Sequence, residues 1–166
     1  MKFGGYVTSF ILFLSIGSAE LCAQFLMGLK PIKSTCHDVE RLFGGQHCGR
    51  RHVEFKNKDE RVSVTYTVDK CDQLFGKRWN LPPGTVVRIG RYFQYPVELG
   101  TLGISFEESD FERRDSDIID HAFFHKKSGD LVLSMYEGRL VDIIEYFPSL
   151  TDEDKFVCDD RSEPNR

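Results

Sequence analysis

The sequence predicts an α+β fold: an antiparallel sheet with short helices on one face, whose order of elements suggests two similar helix-plus-three-strand halves. Three observations lead there. A short apolar-periodic segment at 35–43 is bounded by a capping signal and by glycines. The stretch 62–67 alternates between apolar and polar residues, the period of a strand with one face buried. Between 121 and 147, three apolar segments follow one another through tight turn signals.

In chain order, Thr35 with Asp38 fits the S/T-x-x-D/E helix start, and Val39, Leu42 and Phe43 fall on one face. Gly44 and Gly45 stop this helix after about two turns, because glycine accepts the left-handed backbone at a helix end. HVEFK, the polar turn NKDE and RVSVTYT read as a hairpin. Its residues Val62, Val64 and Tyr66 are expected to face the core, with Ser63, Thr65 and Thr67 on a wet side. Residues 69–84 read as one long loop closed by Pro82, Pro83 and Gly84, and TVVRIGRYF reads as a third strand.

The second half opens with SFEESDFERR, where Ser105 and Glu108 form a capping pair for a short helix. The preceding Leu102, Ile104 and Phe106 alternate, which suits a strand instead. HAFFHKK, LVLSMY and RLVDIIEYF then give three strands, turned at Ser128-Gly129 and Glu137-Gly138. RVSVTYT corresponds in position to LVLSMY, and TVVRIGRYF to RLVDIIEYF.

The chain has 166 residues, with 26 acidic against 22 basic side chains and a net charge of −4. Phosphate binding needs a basic surface, so nucleic acid is not an expected partner. Lys2, the apolar run at 6–16 and the small residues Gly17, Ser18 and Ala19 follow the order of a secretory signal. Residues 1–23 are therefore expected as a signal peptide, cut after Ala19 or Ala23. The run falls short of the roughly 20 residues of a membrane span, and the residues before Cys22 make a poor lipoprotein signal. No later apolar run is long enough to span a bilayer. Residues 24–158 are expected as a single domain, with halves at about 29–94 and 95–148, and 159–166 as a disordered tail. The expected location is periplasmic or secreted.

Four cysteines follow a cut after Ala23: Cys36, Cys48, Cys71 and Cys158. An even number in an exported chain reads as disulfides, with three connectivities open. Cys36 and Cys48 bracket one helix, which favours Cys36–Cys48 with Cys71–Cys158.

KSTCHDVERLFG, VSVTYTVDKC, WNLPPGTVVRI and EYFP near a terminal cysteine together resemble a family of uncharacterised exported bacterial proteins. More distantly, the helix-plus-sheet half resembles the small lipoprotein of the outer-membrane barrel assembly machine, and the tandem arrangement resembles the β-lactamase inhibitory protein. The resemblance implies protein binding through a sheet face or loops, without catalytic residues. Cys36 stands where that family usually has a basic residue, which adds weight to a Cys36–Cys48 bridge.

Several residue sets imitate chemistry. Cys36, His37, His47 and Cys48 offer zinc ligands, at a spacing that matches no common zinc motif. His121 and His125 are four apart, which on a strand separates them by about 13 Å. Cys71 or Cys36 with a histidine would need a free thiolate to act as a nucleophile. Glu107–Glu108 and Asp115–Asp117 read as solvated charge. Serine, histidine and aspartate are present without a GxSxG elbow. Trp79 reads first as a buried plug under Pro82 and Pro83, and alternatively as a partner-facing anchor in a patch with some of Phe75, Tyr92, Phe93 and Tyr95. The resulting expectation is a non-enzymatic binding or accessory protein acting on another protein or an envelope component. No catalytic residue, metal or cofactor is assigned. The alternatives are an envelope hydrolase or thiol enzyme, and a structural or stress-related envelope protein.

Overall fold

In the computed structural model, which describes residues 28–158, one seven-stranded antiparallel sheet organises the chain. The expected signal at 1–23 and tail at 159–166 lie outside the described residues. The first helix, α1 (Cys36–Phe43), starts where the capping pair places it: the Thr35 N–H donates to Asp38 Oδ2 at 2.8 Å. It ends at Gly44, whose φ of 72° suits only glycine without strain. Val39 is fully buried and Phe43 half-buried, whereas Leu42 remains exposed, because two turns present too narrow a face to seat all three.

The strands are β1 (His52–Lys56), β2 (Glu60–Tyr66), β3 (Asp72–Leu74), β4 (Lys77–Trp79), β5 (Val86–Glu98), β6 (Phe111–Asp115), β7 (His121–Lys126), β8 (Leu131–Tyr136) and β9 (Leu140–Tyr146). The large sheet runs β1-β2-β5-β9-β8-β7-β6. Its order is therefore mirrored about the β5–β9 pair, β1-β2-β5 meeting β9-β8-β7 end for end. The positional match of β2 with β8 and of β5 with β9 has a spatial counterpart here. The helix does not. Where the second helix was expected there is a 3-10 turn (Glu108–Asp110) followed by β6. Leu102, the last residue of a 3-10 turn (Leu99–Leu102), and Ile104 and Phe106 in the irregular segment after it all pack on the second-half core. The boundary expected at 94–95 falls inside β5, which runs past it and breaks its pairing with β9 between Tyr92 and Val97, around Pro96.

The 69–84 stretch is not a plain loop. It contains the β3–β4 hairpin, turned at Phe75-Gly76 with both residues at positive φ, 53° and 76°. Strands of three residues are too short to show alternation. A second helix, α2 (Leu150–Phe156), follows β9, with Ser149 Oγ accepting from the Asp152 N–H. The helices do not share one site on the sheet. Helix α1 packs on Val53, Val62, Val64, Tyr66, Val86 and Ile89, while α2 inserts Phe156 into a separate cluster of Trp79, Leu74, Leu81 and Val87. The second half of the sheet is covered by residues 99–106 instead. Tyr146 packs against both large clusters, so they meet at the β5–β9 seam.

Two disulfides are present, Cys36–Cys48 and Cys71–Cys158. They accord with an oxidising compartment outside the cytoplasm. Among the described residues no helix is long and apolar enough to cross a membrane.

Candidate functional site

Strand register assigns each residue to one side of the sheet. Phe55, Val62, Arg91, Ile144, Leu133 and Phe124 form one row on the covered side, and all are buried or half-buried. Among the described residues, α1 and residues 99–106 pack on this covered side and not on the opposite one. Two rows cross the opposite side from edge to edge. One reads Lys56, Arg61, Tyr92, Ile143, Ser134, Phe123, Arg114; the other reads Glu54, Ser63, Gly90, Glu145, Val132, His125, Glu112. The first row has cations at its ends, with Tyr92, Ile143, Phe123 and the buried Ser134 between them. The second has carboxylates at its ends and one at its centre.

This side is not simply wet, as the alternation of β2 implied. Ser63, Thr65 and Thr67 are all buried. Small residues sit in the floor, and long side chains from neighbouring strands lie over them. Tyr92 folds back over Gly90, where an added Cβ would come within 2.8 Å of the ring. Arg61 stacks on the Tyr92 ring at 4.3 Å. Tyr92 Oη donates to Glu145 Oε1 at 2.9 Å and accepts from Arg88 Nη2 at 2.7 Å, and Arg88 also pairs with Glu145. Burial, then the Glu145 carboxylate, push the Tyr92 phenol up, so it stays a neutral donor. The network fixes long, charged side chains in place and leaves them half-exposed, an arrangement suited to recognition because little side-chain entropy remains to be lost on binding.

At one end of this face stands Phe75. It is 47% exposed, meets Phe147 edge-on with centroids 5.8 Å apart, and lies 5.6 Å from the Arg88 guanidinium. Its φ of 53° places a bulky residue in a turn position that favours asparagine or glycine. Trp79, by contrast, is 1% exposed and donates its indole N–H to the Leu74 carbonyl at 3.1 Å. The reading of Trp79 as a partner-facing anchor is therefore corrected: the ring is enclosed by the hairpin and α2. Of the aromatics named with it, Phe75 and Tyr92 belong to the open face. Phe93 packs in the second-half core, and Tyr95, 70% exposed, lies beside a separate groove.

The other residue sets assemble differently. Cys36 and Cys48 are joined, so neither offers a thiolate to a metal while oxidised. His37 Nδ1 lies 3.4 Å from Cys48 Sγ and 3.0 Å from Glu40 Oε2. Glu40 Oε1 also accepts the N–H of Cys48 at 3.0 Å and of His47 at 2.7 Å. These contacts, the Cys48 N–H foremost, hold the Glu40 carboxyl down at about 2, against an ordinary 4.5. A depressed carboxyl contributes stability that is present above its unfolded value and lost as pH falls through its folded value. The protection of the His47 and Cys48 amides is therefore expected to collapse between pH 4.5 and about 2, while sheet amides keep theirs. Hydrogen-exchange protection factors check this, and equal acid sensitivity in the sheet contradicts it.

Ser134, His121 and Asp142 do come together, without the order of a catalytic relay. His121 Nε2 is 2.6 Å from Ser134 Oγ, but Ser134 donates to Asp142 Oδ1 at 2.5 Å. The carboxylate thus sits on the serine side, and His121 Nδ1, which a relay would orient, is buried without a partner. Ser134 itself is 1% exposed. His125 faces the open side apart from this group. Glu107, Glu108, Asp115 and Asp117 are exposed, and Asp115 accepts from Arg113.

On the covered side a cleft of about 610 Å³ lies between Leu29–Pro31 and Leu102–Ile104, floored by Ile89, Arg91 and Tyr146. Its buried cation is already committed: Arg91 donates through Nε and Nη2 to Glu60 Oε2, at 3.1 and 2.6 Å. No protein-family model, curated protein or solved structure matches this chain.

Proposed function

We propose that this chain is an exported, non-enzymatic binding or accessory protein of the cell envelope, periplasmic or secreted, acting by protein–protein interaction through its open sheet face. The observation that carries this is the pair of edge-to-edge rows, charged at the rims, with Tyr92, Ile143, Phe123 and Val132 grouped around Glu145 at the centre and Phe75 presented beside them. Interfaces favour an aromatic and arginine-containing centre inside a polar rim. Alternating cations and carboxylates suit a protein partner of mixed charge and not a phosphate backbone. The leader-like first segment and the two disulfides support export, and the resemblance to sheet-face binders of the envelope points the same way.

Phe75 gives the test. Phe75→Asn replaces a strained residue by one that tolerates positive φ, so the melting temperature is expected to hold or rise. Partner capture from the native envelope is expected to fall at least tenfold relative to wild type. A purely structural Phe75 predicts the reverse, a lower melting temperature with undiminished capture.

A further inference from the structure

We propose that Cys36–Cys48 is an exchangeable disulfide that reacts with solvent-borne thiols, with Cys48 as the sulfur attacked, whereas Cys71–Cys158 is a structural staple. The two sulfurs of the first bridge are unequal. Cys36 is 6% exposed, and its Sγ lies so close over Gly84 that an added Cβ there would come within 2.9 Å. Cys48, in the turn after the helix, is more accessible than Cys36. An incoming thiolate therefore reaches Cys48 first.

The electron pair then leaves on Cys36. That residue is the first of the eight-residue α1, where the helix N-terminus favours negative charge, against the opposing effect of its burial in the first-half core. His37, 81% exposed, holds its ring nitrogens 3.4 and 3.8 Å from Cys48 Sγ, placing an imidazole beside the sulfur that later becomes a thiolate. Glu40 holds both His37 and the Cys48 amide. The chemistry balances in two displacements. A first external thiolate bonds to Cys48 Sγ, the Cys36–Cys48 bond breaks, and its electron pair leaves on Cys36. A second external thiolate attacks the external sulfur of that mixed disulfide and releases Cys48 as a thiolate beside His37. Two thiols are oxidised to one disulfide; the protein bridge takes up two electrons and, on protonation, two protons. The second bridge has a different setting. It ties the segment after α2 to the start of the β3–β4 hairpin, where the Cys158 N–H donates to the Arg78 carbonyl.

The test treats the folded protein with reduced glutathione, quenches with an alkylating reagent, and maps each pair by mass spectrometry. Cys36–Cys48 is expected to open at least tenfold faster than Cys71–Cys158. His37→Ala, a change at an exposed position, is expected to slow release of Cys48 from its mixed disulfide with glutathione several-fold with the melting temperature unchanged. The single variants assign the attacked sulfur: with oxidised glutathione, Cys48 in Cys36→Ser is expected to react at least tenfold faster than Cys36 in Cys48→Ser. Equal opening of the two bridges, an unchanged release rate in His37→Ala, or faster reaction at Cys36 overturns the proposal.

Discussion

Trp79→Ala is expected to lower stability by about 3–5 kcal/mol, the usual cost of emptying a core tryptophan site. For a domain of this size that is a fall of roughly 10–15 °C in melting temperature. The physical reason is the position of the ring. It is enclosed by Leu74, Leu81 and Val87, with Phe156 of α2 and Ile32 packed against the cluster. Removal also leaves the Leu74 carbonyl without its indole donor. The Trp79 backbone bridges to Val157, so the same residue joins hairpin to C-terminal helix twice over. A calorimetric melt of the purified variant checks this. A shift below about 3 °C, less than 1 kcal/mol on the same scale, contradicts the burial.

The largest single covalent contribution is expected from Cys71–Cys158. It closes a separation of 87 residues, against 12 for Cys36–Cys48. In the chain-entropy treatment these correspond to about 4.5 and about 3 kcal/mol. The Cys71→Ala, Cys158→Ala double variant should therefore melt lower than the Cys36→Ala, Cys48→Ala double variant. Its effect should also be less than additive with Trp79→Ala, because either change frees α2 from the hairpin, and residues that share one contact unit couple. Denaturant titration of the four proteins measures both. A larger loss from the short bridge, or full additivity, contradicts this account.

The elements legible in the sequence are those whose pattern is both periodic and local. The capping pair at Thr35 and Asp38, the stop at Gly44, and the strands of 121–146 are of this kind, and so is the class of fold. What was not legible depended on partners distant in sequence. Ser63 and Thr65 are polar yet buried, in register with Gly90, over which Tyr92 folds, and with Arg88, and alternation within β2 carries no trace of that. Helix α2 was not read in the sequence, because its apolar contribution is chiefly Phe156, too little to set a period. The chain at 102–108 carried both a strand-like alternation and a helix cap, and it forms neither: a 3-10 turn ends at Leu102 and an irregular segment follows, placing Leu102, Ile104 and Phe106 on the second-half core. The site was legible in its parts only. Phe75 and Tyr92 were among the candidate aromatics, but Trp79 ranked above them because the sequence does not say which way a loop tryptophan turns. The two rows of the open face emerge only once seven strands are in register.

Photo-crosslinking from the centre of the open face tests the central proposal most directly. A photoreactive residue in place of Val132, which lies in register between Glu145 and His125, would be compared in the native envelope with one in place of Leu42, exposed on α1. The account predicts a discrete protein adduct from position 132, abolished by Phe75→Asn and absent from position 42. Adducts of equal yield from both positions, or from position 42 alone, would contradict it.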